Sequence, residues 1–213
     1  MSSKVYPGIP DLEMAKSADS IHYTELSSLK GIVNDARQSF ESGLSNDLKW
    51  RLGQLRSMRK MLKENETPIV DALKRDLGRP HFEAVMGDIV PVLAEVEELA
   101  ARLPRLTRRR RVRNPLSFVP ATVYHKPEPL GVVLIITPWN FPFSLPLQIM
   151  AGAIAAGNTL ILKLSEESPA SSNLLEQLIN KYLDTSCIKV VQGGRAAAAA
   201  LLALARARMP QSA

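Results

Sequence analysis

Two short apolar runs in the second half of the sequence constrain the fold more than any other feature. Residues 131–136 and 159–164 consist mainly of branched aliphatic side chains. They lack the alternation of polar and apolar residues found in a strand that faces water on one side. Such continuous runs are typical of strands buried on both faces, as in a parallel sheet. A helical stretch at 145–156 separates them, and Gly157-Asn158 is expected to end that helix.

A further helix and strand continue the same pattern. Ser168-Pro169 is a typical helix start, and apolar residues then recur at helical spacing through Ile179. Residues 188–191 are predicted to form a third short strand. The order β-α-β-α-β with short connections predicts a right-handed parallel sheet, the first half of a doubly wound nucleotide-binding fold. Half a sheet has an unpaired edge, and we expect one of its faces to be poorly covered.

Four amphipathic helices are predicted between residues 24 and 103, ahead of the sheet. The first spans 24–43, and Asn46 is expected to cap the second. Thr67-Pro68 begins the third, which ends at Gly78. The fourth, at 82–103, carries Phe82, Val85, Ile89, Leu93, Val96 and Leu103 at helical spacing, and Pro104 closes it.

The segments outside these elements are predicted from composition. Residues 1–22 contain Pro7, Gly8 and Pro10 without sustained periodicity, so we expect a flexible leader. Residues 119–127 alternate in polarity and are bounded by prolines, which predicts exposed strands. Residues 195–213 are almost wholly Ala, Leu and Arg up to Met209, and a short helix over 196–207 is expected there.

Charge and cysteine content narrow the class of protein. Of the net charge of +6, three come from arginines of the 195–213 tail, and the remaining +3 is too weak a bias to predict a nucleic-acid or membrane partner. The single cysteine, Cys187, excludes an intramolecular disulfide and favours a reducing compartment. We find no signal peptide and no apolar stretch near the roughly 20 residues of a membrane span. A soluble, cytoplasmic chain is expected.

Two clusters have plain alternatives to a functional role. The basic run at 108–111, flanked by Arg105 and Arg113, has the composition of a nuclear localisation or phosphate-binding patch. No aromatic residues interleave with it, so a solvated loop is favoured and nucleic-acid binding ranks last. The three histidines, His22, His81 and His125, are too scattered to predict a metal site.

Polar side chains follow the first two predicted strands, where open α/β sheets bind their ligands. Asn140 carries an amide that can donate a hydrogen bond to an oxyanion. On spacing alone, a rigid strand-to-helix turn shaped by Pro138, Trp139, Pro142 and Pro146 is favoured over that role. Lys163 and Glu166 have the chemistry to bind ribose hydroxyls, one as donor and one as acceptor. An ordinary solvated charge pair is the alternative there.

Three motifs together resemble the aldehyde dehydrogenase superfamily: Pro-Trp-Asn-Phe-Pro-Phe at 138–143, Ala-Gly-Ala-Ile-Ala-Ala-Gly-Asn at 151–158 and Leu-Lys-Leu-Ser-Glu at 162–166. Leu-Lys-Trp-Arg at 48–51 and Asp-Leu-Gly-Arg-Pro at 76–80 are most similar to its class 3 branch. The resemblance covers about residues 24–194. Residues 23–194 are therefore interpreted as a partial cofactor-binding domain, and 195–213 as a tail unrelated to the family.

The resemblance implies NAD(P)-dependent oxidation of an aldehyde to a carboxylic acid. It assigns Asn140 to the oxyanion hole and Lys163 and Glu166 to the adenosine ribose of NAD or NADP. The residues that match the lining of the cofactor cleft are Ile136, Thr137, Pro138 and Trp139. The family usually has proline after this lysine, whereas Leu164 stands here, which predicts a less rigid turn and looser ribose binding.

The nucleophilic cysteine and the general-base glutamate that the resemblance implies have no counterpart in these 213 residues. Cys187 precedes the third strand and lacks a Gly-Gln-x-Cys-like context, so a small buried residue is the favoured interpretation. Whether the chain is an enzyme stays open, and we expect it to be inactive alone, with weak cofactor binding at best. The alternative is a non-catalytic partner that docks on a full-length subunit, or a homo-oligomer, through the strands at 119–127.

Overall fold

The N-terminal helices follow the predicted periodicity with shifted ends. The structure, a computed structural model, describes residues 22–113, 116–118 and 120–206. Helix α1 spans Leu29–Glu41, α2 spans Leu48–Glu64 and α3 spans Glu66–Leu77, with 3-10 turns at Leu26–Ser28 and Leu44–Asn46. Asp47, not Asn46 as predicted, caps α2, because its carboxylate accepts the Lys49 N–H at 3.1 Å. Gly78 ends α3 in the left-handed conformation, as predicted.

The predicted fourth helix is divided by a π-helical segment. An α-helical turn, α4 (His81–Ala84), leads into the π segment (Val85–Ile89) and then into α5 (Val90–Leu106). Pro91 has no N–H to donate to Gly87 four residues earlier, and such a gap favours a local widening of the helix. The prediction that Pro104 ends the helix was wrong. The Thr107 N–H bonds to the Leu103 carbonyl at 3.0 Å and completes the last turn.

A small antiparallel ribbon follows α5. Strand β1 (Arg110–Arg111) pairs with β2 (Tyr124–His125), and all four residues are exposed. Among the described residues of the segment predicted as exposed strands, 120–127, Tyr124 and His125 are strand, and both are exposed. Residue 119 lies outside the described residues. Two arginines of the basic run belong to a strand, so the expectation of a loop was wrong for them.

Three parallel strands form the predicted sheet, in the order β3-β4-β5. Strand β3 spans Val132–Ile136, β4 spans Thr159–Lys163 and β5 spans Ile188–Val191. Helices α6 (Ser144–Ala155) and α7 (Pro169–Tyr182) make the two crossovers. Every residue of the central strand β4 is buried. The predicted α/β class, N-terminal helices followed by half of a Rossmann-like sheet, is confirmed.

Helices cover both faces of the sheet. One face packs against α6 and α7 and, beyond them, α2, α3 and α5, in the larger hydrophobic core. The other packs against α1 and α8 (Arg195–Arg206) in a second cluster. The buried members of that cluster are Leu29, Val33, Ala36, Ile161, Val191, Ala197 and Leu201. The expectation of a poorly covered face was therefore wrong, since the Ala-rich segment supplies a helix that packs there.

The start of the described chain lies along the far edge of the sheet. The Thr24 N–H donates to the Gln192 carbonyl at 2.8 Å, and the Gln192 N–H donates to Thr24 Oγ1 at 3.0 Å. Most of the predicted leader, residues 1–21, lies outside the described residues. Within the described ranges, none of the helices has the length and apolar character required to cross a membrane.

Candidate functional site

Three connections meet at the carboxyl edge of the sheet. Ile136 and Lys163 are neighbours in the β3–β4 register, and Lys163 and Val191 are neighbours in the β4–β5 register. The loops that follow the three strands therefore begin side by side. In doubly wound sheets this edge is where ligands bind, and the two loops that carry the predicted site residues both begin here.

The first loop runs from Thr137 to Phe143 and presents its middle to solvent. Thr137 is buried, and both its N–H and its hydroxyl donate to the Lys163 carbonyl, at 3.2 and 3.3 Å. Ile136 is 41% exposed and Trp139 53% exposed, and Pro138 is also exposed. Thr137 thus fastens the loop to β4, while the other three predicted cleft residues face outward.

Asn140 lies at the outer turn of this loop. Its side chain is exposed, and no hydrogen bond joins its amide to another residue in the described part of the chain. Its backbone carbonyl, by contrast, accepts a hydrogen bond from Arg79. The amide N–H groups are consequently available to a ligand, while the backbone that carries them is fixed.

The second loop holds the Lys163–Glu166 pair. Lys163 is 4% exposed, and its Nζ donates to Glu166 Oε2 at 2.5 Å. Burial alone would raise the pKa of Glu166, but the hydrogen bond and charge of Lys163, with the charge of Arg195, lower it below its ordinary value. The carboxylate is therefore ionised at neutral pH, and both of its oxygens can accept hydrogen bonds.

The third connection passes beside Glu166. A Cβ on Gly194 would lie 3.4 Å from Glu166 Oε1, so the absence of a side chain keeps this oxygen uncrowded. A Cβ on Gly193 would lie 2.7 Å from that of Ala197, too close for any residue but glycine. Sequence reasoning missed this role of Gly193-Gly194, although the paired glycines after the third strand were the available signal.

Leu164 has a contact that proline lacks. Its N–H donates to the Val191 carbonyl at 3.2 Å, and its side chain is buried. Proline has no N–H and would lose this link between β4 and β5. Leu164 thus gives this turn a backbone bond to β5 that proline could not form, and the less rigid turn with looser ribose binding stays a prediction.

Two carboxylates of the N-terminal helices cap the crossover helices. Asp76 accepts the N–H groups of Ala170 and Ser171 at the start of α7, at 3.1 and 2.7 Å. The predicted cap, Ser168, forms no side-chain cap bond. Asp88 accepts the N–H groups of Phe143 and Ser144 at the start of α6. Sequence reasoning missed both caps, because each joins positions more than fifty residues apart.

Cys187 lies away from this edge. It immediately precedes β5, so it stands at the amino end of the strand, and its side chain is fully buried. Burial raises the pKa of its thiol; the hydrogen bond from Ser186 opposes this rise, the Asp184 charge adds to it, and the Lys189 charge opposes it. A buried thiol with a raised pKa is a poor nucleophile.

Two other features lie outside the predicted site. A cavity of about 480 Å³ opens between α1, α8 and the amino end of β3, lined in part by Val33, Arg37 and Leu130. It is at the opposite end of the strands from Asn140 and Lys163. Among the residues that the structure describes, no three His, Cys, Asp or Glu side chains come together as metal ligands.

Comparison with known proteins identifies relatives over most of the chain. The sequence model of the Aldehyde dehydrogenase family matches residues 15–209, which includes most of the segment after Gly194. Aldehyde dehydrogenase family 3 member A2 of Rattus norvegicus is 41% identical over 162 residues, covering 76% of this chain and 34% of its own length. The class 3 resemblance is thereby confirmed. The chain spans about a third of the length of the curated relatives it matches.

Solved structures show the same fold. A substrate-bound AldH of Staphylococcus aureus superposes with a TM-score of 0.79 at 35% identity, over 82% of this chain and 38% of that one. A protein described as a putative methylmalonate-semialdehyde dehydrogenase of Sinorhizobium meliloti, complexed with NAD, gives a TM-score of 0.73 at 27% identity. That match covers 84% of this chain and 36% of the other.

Proposed function

The chain belongs to the aldehyde dehydrogenase family, and on that premise we propose that its carboxyl sheet edge is the ribose-binding and oxyanion-donating part of an NAD(P)-dependent aldehyde oxidation site. The parent reaction would convert an aldehyde to a carboxylic acid. The observation that carries the proposal is the Lys163–Glu166 pair, held at 2.5 Å where the central strand ends and beside the loop of Asn140.

The residues present fit a dinucleotide at this edge. Glu166 keeps Oε1 free of its partner Lys163 and faces a glycine, so it can accept from a ribose hydroxyl. The buried ammonium of Lys163 keeps that carboxylate ionised and in place. Ile136 and Trp139 offer exposed apolar surface on the neighbouring loop. When bound, the nicotinamide group of the cofactor supplies a hydride acceptor.

Asn140 would act at a second position in the same site. Attack on an aldehyde carbonyl leaves negative charge on its oxygen, and a fixed N–H donor stabilises that charge. The amide of Asn140 is exposed while its backbone is held by Arg79 and by the turn into α6. We assign it the donor role and expect it to contribute little to cofactor binding.

Cofactor binding by the 213-residue chain tests the ribose assignment. NADH and NADPH are titrated separately while their fluorescence is followed, with the chain unchanged and with Glu166→Gln. The matched control is Glu167→Gln, which removes a neighbouring exposed carboxylate. An affinity for NADH or NADPH that falls about tenfold or more in Glu166→Gln, but not in Glu167→Gln, supports the proposal. Equal affinity in both variants, or no binding by the unchanged chain, contradicts it.

We also propose that these 213 residues do not oxidise aldehydes by themselves. Their single cysteine is buried and lies at the wrong end of the sheet to meet Asn140. The reaction of this family needs a thiolate that reaches the substrate carbonyl. Mixing the chain with benzaldehyde or hexanal and NAD or NADP should give no reduced cofactor above the blank. Sustained turnover that survives Cys187→Ser would show another nucleophile.

One observation favours the alternative of a docking partner. The β1–β2 ribbon stands exposed after α5, with Arg109 stacked on Tyr124 at 4.7 Å and Tyr124 itself 47% exposed. A stiffened, exposed ribbon offers free strand edges to another subunit. Size-exclusion chromatography of the chain, alone and with a full-length family 3 enzyme, tests this. Co-elution that is lost with Tyr124→Asp would support docking through the ribbon, and separate elution would contradict it.

A further inference from the structure

The most deeply buried carboxylate in the structure lies outside the predicted site residues. Asp88, on the π segment, is 0% exposed. Its Oδ1 accepts the N–H groups of Phe143 and Ser144 at 3.1 and 2.9 Å, and its Oδ2 accepts from Arg79. Burial raises the pKa of Asp88 even though these three donors oppose the shift. The local structure thus holds a costly group in place.

Arg79 extends this contact to the outer part of the loop. Its Nη1 donates to Asp88, its Nη2 donates to the carbonyl of Asn140, and its guanidinium lies 4.4 Å from the Phe141 ring centre. A planar guanidinium can satisfy two acceptors and a ring face together, which an ammonium cannot. Arg79 and Asp88 therefore fix three positions of the loop, at its turn, its middle and its end.

The π segment explains why Asp88 reaches this position. A π turn contains one more residue than an α turn, so residues after it are rotated about the helix axis. Phe82 has the spacing of a core residue and is nevertheless 74% exposed, whereas Asp88 is buried. The N-cap residue of α6, Phe143, forms no side-chain cap bond, and Asp88 provides the cap instead.

We propose that Asp88 and Arg79 are positioning residues for the Thr137–Phe143 loop, and so for the Asn140 amide and the cleft surface of Trp139. The functional part of this statement rests on the function proposed above. The pair acts through the loop backbone and touches neither reactant. A buried ion pair contributes little net stability against an apolar replacement, but it fixes geometry.

Asp76 provides the matched comparison. It accepts two N–H groups at the start of α7, just as Asp88 does at the start of α6. Each carboxylate thereby joins the N-terminal helices to a crossover helix of the sheet. Among the described residues, the side-chain hydrogen bonds of Asp76 go to Ala170 and Ser171 and not to the Thr137–Phe143 loop. Loss of either cap should reduce stability, but only loss of Asp88 or Arg79 should loosen the loop.

Trp139 is the natural reporter, because Trp50 is the only other tryptophan and can be replaced. In a Trp50→Phe background, time-resolved anisotropy measures the local motion of Trp139 on the nanosecond scale. Asp88→Asn and Arg79→Met should at least about double the amplitude of that motion and weaken NADH binding about tenfold. Asp76→Asn should leave the motion of Trp139 unchanged, and Arg79→Lys should restore only part of its order.

The outcomes separate the possible failures. Unchanged Trp139 motion in both Arg79→Met and Asp88→Asn, together with lowered thermal stability, would overturn the proposal and leave the pair as a plain cap. If Asp88→Asn does not fold by circular dichroism, Arg79→Met decides, since that side chain is 17% exposed. If the unchanged chain binds no NADH, the proposed function fails, and the anisotropy still tests the positioning.

Discussion

The guanidinium of Arg51 fills the space in which a side chain on Gly157 would stand. A Cβ there would lie 2.6 Å from Arg51 Cζ, and the glycine itself has a φ of +87°. Arg51 is 5% exposed and donates to the carbonyls of Ser45, Asn46 and Ala155. The contact joins the start of α2 to the end of α6, and so joins the N-terminal helices to the sheet.

Gly157→Ala is therefore expected to destabilise the fold. The new methyl group must displace a buried guanidinium, and the left-handed backbone is unfavourable for alanine. Together these effects should lower the free energy of unfolding by about 2–4 kcal/mol. Urea denaturation followed by circular dichroism measures the change.

Gly152→Ala is the control for that experiment. Gly152 lies in α6, and nothing stands within 4 Å of a Cβ built on it. Alanine is the better helix former, so this change should raise stability by about 0.5–1 kcal/mol. Equal destabilisation by both substitutions would mean that the space over Gly157 is not filled as described.

The Lys163–Glu166 pair predicts a non-additive pair of mutations. Glu166→Gln leaves the buried ammonium without its carboxylate and should cost about 1–3 kcal/mol of stability. Lys163→Met combined with Glu166→Gln removes both charges and should recover part of that loss. The measurement is urea unfolding of the single and double variants, with Glu167→Gln as control. Strictly additive effects would show that the two side chains do not depend on each other.

Acid is predicted to weaken the contact between Trp50 and Asp184. Trp50 Nε1 donates to Asp184 Oδ2 at 2.8 Å. Burial alone would raise the pKa of Asp184, but hydrogen bonds from Ser186 and Trp50 lower it below its ordinary value. The ionised group thus stabilises the fold above the ordinary pKa of about 3.9, and this contribution is lost as pH falls through the lower folded pKa.

Asp184→Asn isolates this contribution. At pH 6 the parent should be more stable than the variant, and the difference should narrow toward pH 3 because only the parent titrates at this position. Unfolding followed by Trp50 fluorescence in a Trp139→Phe background measures both proteins. A difference that stays constant or widens on acidification would contradict the assigned direction.

Cys187 is predicted to be unreactive in the folded chain. Its burial and its raised pKa both keep the thiolate away from reagents. With 5,5′-dithiobis(2-nitrobenzoate) at pH 8, the native thiol should react at least about 100-fold more slowly than the unfolded one. Labelling in 6 M guanidinium chloride is the internal control. Rapid labelling without denaturant would reopen a chemical role for this cysteine.

The sheet could be predicted closely because its signal is local. Runs rich in branched apolar residues mark the strands at 132–136 and 159–163, and a shorter run marks 188–191 despite Lys189. The end of α3 at Gly78 has a local signal too, because the left-handed backbone there favours glycine. The cytoplasmic location and the roles of Asn140, Lys163 and Glu166 stay predictions.

The supports of the site could not be predicted from local signals. Ser168 and Asn46 are residue types that commonly cap helices. In the structure the distant carboxylate of Asp76 caps α7, and the neighbouring carboxylate of Asp47 caps α2. A charged acceptor outcompetes a hydroxyl or an amide for helix N–H groups. Asp88 gives no local signal at all, since its burial depends on the π segment and on a loop 55 residues further along.

The π segment makes the exact residue count of this helix matter. An α-helix advances by about 100° per residue, so if this helix kept all its residues but closed into regular α turns, everything on one side of the π segment would be rotated by that angle. The Asp88 carboxylate would then point away from the amides of Phe143 and Ser144. A homologue with one residue fewer between His81 and Ile89 is therefore expected to have a regular α-helix here in place of the π segment.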